Sequence, residues 1–118
     1  MHTLVDMKPP SDACLRCGPQ VMARGISAGR IQGRGHVGVP LHLAWQTVAD
    51  LLLDTTVCNS VASASDALWR GTPMITTLGD ALTTRAAASV VMAAGGWPQG
   101  VPTTLKEYEE NVAAFSLD

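Results

Sequence analysis

Residues 51–73 read LLLDTTVCNSVASASDALWRGTP, and this stretch decides the fold. Its three leucines, bounded by aspartates, are typical of a short strand that is buried on both faces of a parallel sheet. The polar and small residues of 55–60 predict a loop. From about Ala62 the apolar residues recur at helical spacing, and Gly71 is suited to end the helix in a left-handed conformation. The stretch therefore predicts a strand, a loop and a helix in succession.

The alternation continues in both directions along the chain. The patterns predict helices over about residues 13–24, 40–49, 62–70, 82–94 and 104–115, and strands over 29–32, 51–54 and 74–77. Short strands separated by helices indicate an α/β fold with a parallel sheet and flanking helices on its two faces.

Several helix ends and faces can also be assigned. Gly25 and Gly95 are expected to end their helices, and Thr104 with Glu107 fits a capping box at the start of the last helix. Two apolar helix faces are expected, one from Leu41, Ala44, Trp45 and Val48, the other from Leu105, Tyr108, Val112 and Phe115. We predict that the tryptophans at positions 45, 69 and 97 pack in the protein rather than against a ligand.

A chain of 118 residues is long enough for one small domain. Residues 1–13 are predicted to be an irregular N-terminal segment, because 9–12 read PPSD, a cluster of residues that interrupts regular structure. Residues 14–118 are predicted to form the domain itself.

The composition excludes several classes of protein. Apolar residues make up 47% and charged residues 15%, which argues against a disordered chain. The net charge of −2 gives no basic stripe for nucleic acid. The longest nearly apolar run, residues 86–94, is too short to span a bilayer, and the N-terminal residues lack the apolar core of a secretory signal. We therefore expect a cytoplasmic protein that binds neither nucleic acid nor membrane.

Three cysteines are an odd number, which argues against a disulfide framework. Cys14 and Cys17 have the spacing of half a zinc or redox site, and that alternative stays open. A zinc site would need a second pair of ligands, and the remaining candidates are irregularly spaced: His2, His36, His42 and Cys58. We predict no metal site.

Ligands of open parallel sheets bind beyond the carboxyl ends of the strands. Here that position is occupied by residues 55–61, which lead into the predicted helix at Ala62. The free N–H groups and the dipole of a helix N-terminus favour a phosphate, and Ser63, Ser65 and Asp66 add polar groups that could contact a nucleotide. Simple helix capping explains the same residues. The glycines at 33 and 35 likewise fit either a phosphate loop or a flexible loop.

Residues 54–59 (DTTVCN) and 63–73 (SASDALWRGTP) together resemble the signature of the O-GlcNAc transferase/SPINDLY family. The likeness covers about residues 19–115. It continues through Thr76, Gly79, Leu82, Arg85, 87–89 and 107–109, and upstream through 30–31, His42 and 49–50.

This resemblance implies a partial Rossmann-like parallel sheet with flanking helices, from the C-terminal domain of a GT-B glycosyltransferase. It implies an inverting transfer of N-acetylglucosamine from UDP-GlcNAc to Ser or Thr of proteins, without a metal or other cofactor. Protein acceptors would be bound by regions that lie outside this chain. The matching UDP-binding positions are Val37, His42, Ala62, Ser63 and Asp66. Val37 would contact the uracil through its backbone and His42 through its ring, Ala62 and Ser63 would hold the diphosphate, and Asp66 would bind the ribose.

The chain departs from the family pattern where phosphate should bind. Members usually carry His-Thr-Thr where this chain has Val61, Ala62 and Ser63, so two side-chain donors are replaced. A family lysine and a family arginine nearby are replaced by Val39 and Trp45, which removes positive charge.

The family's catalytic lysine and N-terminal catalytic lobe match nothing in this sequence, so no catalytic residue is assigned. We expect a fragment that carries the UDP-binding part of such an enzyme and is inactive alone. The alternative is a degenerate, non-catalytic Rossmann-like module with a decayed nucleotide site. A different UDP-sugar donor stays open as well.

Overall fold

The computed structural model describes residues 3–4, 19–30 and 37–117. The chain divides into two compact units. One contains Met1–Asp6 with Pro40–Asp118, and the other contains Met7–Val39. The domain boundary predicted at residue 14 stays a prediction.

A parallel sheet of three strands is found in the described part of the larger unit. The strands are β1 (Thr3–Leu4), β2 (Leu51–Leu53) and β3 (Met74–Ile75), and β2 lies in the middle. Thr3 is in register with Leu51, and Leu52 with Met74. The predicted strands at 51–54 and 74–77 are thus confirmed in place, although both are shorter. The expectation of irregular structure at the N-terminus is wrong for residues 3–4, which form β1 because they pair with β2.

Four α-helices are given in full by the described residues: α1 (Val39–Gln46), α2 (Ala62–Trp69), α3 (Ala86–Ala93) and α4 (Leu105–Leu117). Residues 19–22 are also helical, within the helix predicted over 13–24, whose first part lies outside the described residues. Short 3₁₀ turns occur at Ala28–Arg30, Leu82–Thr84 and Pro98–Gly100. The strand predicted over 29–32 is wrong at residues 29–30, which belong to the first of these turns, and residues 31–32 are not described.

Glycine ends α2 as predicted. Gly71 has φ +83°, and its N–H donates to the carbonyl of Leu68. The N–H of Thr72 then reaches back to the carbonyl of Ala67. This pair of bonds is a Schellman motif, which needs the left-handed conformation that glycine adopts without steric cost. Gly25 ends the helical segment of the smaller unit in the same way, at φ +78°.

The core lies where α2 and α3 pack on the sheet. Alanines on the two helices allow close packing against Leu52 and Met74 of the central and neighbouring strands. The buried cluster consists of Leu52, Ala64, Ala67, Met74, Ala87 and Val91, with Leu68, Val90, Trp97 and Val101 packed against it. Leu51, on the opposite face of β2, is 0% exposed, as expected for a strand covered on both sides.

The helix predicted over 82–94 is divided in two. The hydroxyl of Thr84 donates to the carbonyl of Ala81 and accepts from the N–H of the same residue, which holds a tight turn before α3 begins. The carbonyl of Thr84 accepts from the N–H of Gly79 rather than from a later helical N–H. Side-chain bonds of this kind compete with helix, and they prevail here over the helix propensity of the alanines that follow.

The capping box at α4 is confirmed. The hydroxyl of Thr104 accepts from the N–H of Glu107 at 3.1 Å, and the Glu107 carboxylate accepts from the N–H of Thr104 at 3.3 Å. Hydrogen bonds from the backbone and the hydroxyl of Thr103 hold the pKa of Glu107 below its usual value. Tyr108, Val112 and Phe115 are half-buried as predicted, whereas Leu105 is exposed.

Other predicted apolar positions are exposed. Trp69 is 87% exposed, so its predicted packing role is wrong, while Trp45 and Trp97 are half-buried. On α1, Leu41 is exposed and the one fully buried residue is Gln46, and Val48, which follows the helix, is exposed as well. Apolar spacing correctly predicted a helix at this position but not the face that is turned inward.

Candidate functional site

Asp54 lies at the carboxyl end of β2 and organises the loop that follows. Its carboxylate accepts hydrogen bonds from the N–H of Ser60 at 2.9 Å, the hydroxyl of Ser60 at 3.0 Å and the hydroxyl of Thr76 at 2.6 Å. The side chain is only 7% exposed. A buried carboxylate with three donors is well satisfied, and it ties the end of the loop to the end of β3.

The loop between β2 and α2 has further internal bonds. The hydroxyl of Thr55 donates to the carbonyl of Cys58, and the amide of Asn59 donates to the carbonyl of Thr55. The backbone N–H of Asn59 donates to the carbonyl of Thr83 at 2.7 Å, which connects the loop to the turn before α3. The loop predicted at residues 55–60 is therefore a fixed structure that delivers α2 to one defined position.

Tyr108 of α4 contacts the carboxyl end of β2 from another side. Its hydroxyl donates to the backbone carbonyl of Asp54 at 3.0 Å. Burial raises the pKa of Tyr108 from its usual 10.0 to about 12, with the negative charge of Asp54 as the second cause. The end of β2 is thus held by the loop, by β3 and by α4.

The first turn of α2 is much less equipped with side-chain groups. Val61 stands at the N-cap, is 50% exposed and makes no side-chain cap. Ala62 is exposed and carries no polar group, whereas Ser63 and Asp66 are half-buried. The hydroxyl of Ser65 donates to the carbonyl of Val61, one turn back along the helix. Backbone N–H groups are therefore the main donors that this helix end offers to an anion.

Gln46 connects two of the predicted site residues. Its side-chain nitrogen lies 3.2 Å from Nε2 of His42 and 3.4 Å from the carbonyl oxygen of Ser63. His42 on α1 and the beginning of α2 are therefore neighbours, although they are 21 positions apart in the sequence. Ala62, Ser63 and Asp66 lie together on α2. Val37 belongs to the smaller unit, and its place in a site with these residues stays a prediction.

Sequence reasoning missed Gln46 and the roles of Asp54 and Tyr108. A signal for Gln46 was present, because it follows His42 by four positions and one helical turn places such residues side by side. The sequence indicates Asp54 only as the end of the predicted strand 51–54 and as part of a family motif. No local pattern indicates that Tyr108, which is 54 positions away, contacts its carbonyl.

The described residues contain no group of three or more His, Cys, Asp or Glu side chains that could hold a metal ion. Cys58 is exposed, and Cys14, Cys17, His2 and His36 lie outside the described residues, as do the glycines at 33 and 35. Within the same described ranges, no helix is long and apolar enough to cross a membrane.

Comparisons with known proteins agree with this architecture. A structure of a mutant Thermobaculum terrenum O-GlcNAc transferase superposes with a TM-score of 0.83 over 92% of this chain, at 25% identity, and the match covers 21% of that chain. The expected fold, a partial Rossmann-like sheet of a GT-B enzyme, is confirmed by this likeness.

Sequence comparisons lead to the same family. The chain is 36% identical over 77 residues, or 65% of its length, to the probable UDP-N-acetylglucosamine–peptide N-acetylglucosaminyltransferase SEC of Arabidopsis thaliana. It is 36% identical over 95 residues, or 80% of this chain, to the UDP-N-acetylglucosamine–peptide N-acetylglucosaminyltransferase of Caenorhabditis elegans. The chain spans about 8% of the length of each. Residues 17–117 match the model of glycosyl transferase family 41, and the chain belongs to that family, which includes the O-GlcNAc transferases.

Proposed function

We propose that this chain is the UDP-binding part of a protein O-GlcNAc transferase, and that it holds the UDP of UDP-N-acetylglucosamine at the first turn of α2. The proposal is supported by family membership and by two relatives whose names state this donor and a peptide acceptor. The observation that carries it is the contact of Gln46 with both His42 and the carbonyl of Ser63, which brings a base-contacting candidate next to a phosphate-contacting candidate.

Each candidate has a role that suits its chemistry. The N–H groups at Ala62 and Ser63, together with the helix dipole, suit the diphosphate. Asp66 lies one turn further on, where its carboxylate could accept hydrogen bonds from the ribose hydroxyls. The imidazole of His42 would lie against the uracil, and the backbone of Val37 would contact the edge of the base.

The proposed reaction is an inverting transfer in which a Ser or Thr hydroxyl of a protein replaces UDP on the sugar. Negative charge grows on the leaving diphosphate, and donors that are already oriented towards that charge lower the barrier. The N–H groups of the first turn of α2 would supply part of this stabilisation. We expect no turnover by the 118 residues alone, because no residue matches the family lysine that contacts the leaving group. An assay with UDP-GlcNAc and an acceptor peptide tests this expectation, and clear turnover would contradict it. The cytoplasmic localisation stays a prediction from the sequence.

A second candidate function is a binding or structural module whose nucleotide site has decayed. The specific observation in its favour is the apolar start of α2, where Val61 and Ala62 offer no side-chain donor. Two lost bonds to a charged phosphate, at about 1.5–3 kcal/mol each, would weaken binding by orders of magnitude.

Titration calorimetry with UDP distinguishes the two candidates. We expect the chain to bind UDP, and we expect Asp66→Ala to weaken the affinity about tenfold through loss of the ribose contact, which corresponds to about 1.4 kcal/mol. Asp80→Ala, which removes an exposed carboxylate from the loop before the Leu82–Thr84 turn, is the matched control and should leave the affinity unchanged. No heat of binding at millimolar UDP would favour the decayed module.

A further inference from the structure

Gln46 is the most deeply buried residue of α1, with 1% of its surface exposed. Its backbone carbonyl accepts the hydroxyl of Thr72 at 2.6 Å, which fixes the end of α1 against the segment that leads into β3. Its side chain extends to His42 and to Ser63. A buried amide costs free energy unless its polar atoms are paired, so the partners of this one are informative about its function.

The orientation of the amide group follows from the chemistry of its neighbours. The carbonyl oxygen of Ser63 can only accept a hydrogen bond, so the side-chain nitrogen of Gln46, and not its oxygen, must face it. The reversed amide would set two carbonyl oxygens against each other. In this orientation Oε1 of Gln46 has no hydrogen-bond partner among the described residues, and the contacts of the amide with His42 and Ser63 are both made by its nitrogen.

The same NH₂ group also faces Nε2 of His42, at 3.2 Å. Because this group can only donate, Nε2 of His42 must be the acceptor, and the proton of the neutral imidazole must then be on Nδ1. The carbonyl of Ser63, at the start of α2, therefore determines the tautomer of a histidine on α1 through the side chain of Gln46.

We propose that Gln46 is a positioning residue that holds His42 in its Nδ1–H form and couples the ring to the first turn of α2. The value of this coupling for ligand binding rests on the proposed function, since it would join the nucleobase contact to the diphosphate contact. An imidazole held in one tautomer by this contact presents a defined donor, Nδ1–H, and loses less rotational freedom when a ligand binds.

The test is ¹⁵N NMR of the His42 ring in the 118-residue chain, which distinguishes a protonated from an unprotonated ring nitrogen. In the wild-type chain we expect a proton on Nδ1 and an unprotonated Nε2. Gln46→Glu keeps the length of the side chain, and its ionised carboxylate offers only acceptors, so Nε2 of His42 should carry a proton in this variant. Gln46→Met keeps the volume without hydrogen-bonding groups and should give a mixture of both tautomers.

Thr47→Ala is the matched control. Thr47 is the first residue after α1, is exposed, and its hydroxyl donates to the carbonyl of Ala44, so its removal should leave the His42 tautomer unchanged. Backbone amide spectra of each variant report whether the fold persists. If Gln46→Met does not fold, the wild-type ring and Gln46→Glu still decide the matter.

Two results would overturn the inference: an Nε2–H tautomer in the wild-type chain, or an Nδ1–H tautomer that persists in a folded Gln46→Met variant. Calorimetry with UDP tests separately whether the coupling through Gln46 contributes to ligand binding. We expect an affinity about tenfold weaker for Gln46→Met and unchanged for Thr47→Ala. If the wild-type chain shows the expected tautomer and does not bind UDP, the proposed function fails while the positioning role stands. An equal UDP affinity in wild type and Gln46→Met would contradict the coupling to the ligand.

Discussion

The loop after β2 and the first turn of α2 follow each other in the chain, yet they differ in how their polar groups are used. In the loop, the carboxylate of Asp54 accepts three hydrogen bonds, and Asn59 is bonded through both its backbone and its amide nitrogen. At the start of α2, Val61 makes no cap and Ala62 has no polar side chain.

The difference separates two tasks that are combined in one motif. The loop determines where α2 begins, and it does so with bonds inside the protein that need no ligand. The side chains of the first turn contribute little to that placement, so they can change without loss of the fold. Structure and ligand affinity should therefore respond to different substitutions.

The largest effect is expected from Asp54→Ala. The substitution leaves the hydroxyl of Thr76 and the N–H of Ser60 without their acceptor in a buried site, and we expect a loss on the order of 3 kcal/mol or more in the free energy of unfolding. Asp54→Asn keeps the shape and should cost less, about 1–2 kcal/mol. Urea denaturation measures both, with the exposed Asp80→Ala as a control within about 0.5 kcal/mol of wild type. If Asp54→Ala left the free energy of unfolding unchanged, the contrast between the loop and the first turn of α2 would lose its basis.

The opposite response is expected from the double variant Val61→His with Ala62→Thr. It restores the side chains that family members usually carry, and we expect UDP affinity to rise tenfold or more, because each bond to a charged oxygen contributes about 1.5–3 kcal/mol. Stability should change by no more than about 0.5 kcal/mol, since both positions are exposed.

Val61→Asp is the matched control for this gain. A carboxylate at the N-cap should stabilise α2 by about 1 kcal/mol, because it accepts from the first-turn N–H groups. It should weaken UDP binding, because the carboxylate occupies the first-turn N–H groups and its negative charge repels the phosphates. If affinity rises in Val61→Asp as well, the phosphate does not bind at this helix end.

The smallest effect concerns Tyr108. Tyr108→Phe removes the hydrogen bond to the carbonyl of Asp54 and should cost about 1 kcal/mol near neutral pH. The folded-state pKa of about 12 lies above the ordinary value of 10.0, so this tyrosine's contribution to stability is complete below pH 10. It is lost as the pH rises towards 12, and the loss should be absent in Tyr108→Phe.

Ultraviolet titration provides a direct measurement, because Tyr108 is the only tyrosine in the chain. The folded protein should show phenolate formation near pH 12, and the denatured protein near pH 10. Coincident titration of the two states would mean that the end of β2 is not closed by α4.

The elements of the fold also differ in how far the sequence predicts them. Three consecutive leucines, Gly71 and the Thr104–Glu107 pair express local rules, and the strand, the helix end and the cap they predict are all present. The strand Thr3–Leu4 is too short to show a period, and it exists because a distant strand pairs with it. Periodicity alone could not predict that Gln46 is buried and Trp69 exposed, because burial depends on which partner covers each face.

The candidate site was predictable to a different degree. The position of the helix end after β2 follows from the rule for parallel sheets, and the residues Ala62, Ser63 and Asp66 follow from the family resemblance. The link from His42 through Gln46 to Ser63 joins two helices that no local rule brings together. Long-range polar contacts of this kind have no signature in a single sequence.

The central claim is that the first turn of α2 binds the phosphates of UDP while His42 contacts the base. The most direct measurement is ¹⁵N NMR of the labelled chain titrated with UDP, with uridine as a second titrant. The account predicts that UDP shifts the backbone signals of Ala62 and Ser63 together with those of His42, and that uridine shifts His42 with little effect on Ala62. Shifts that leave Ala62, Ser63 and His42 unchanged at saturating UDP would contradict it.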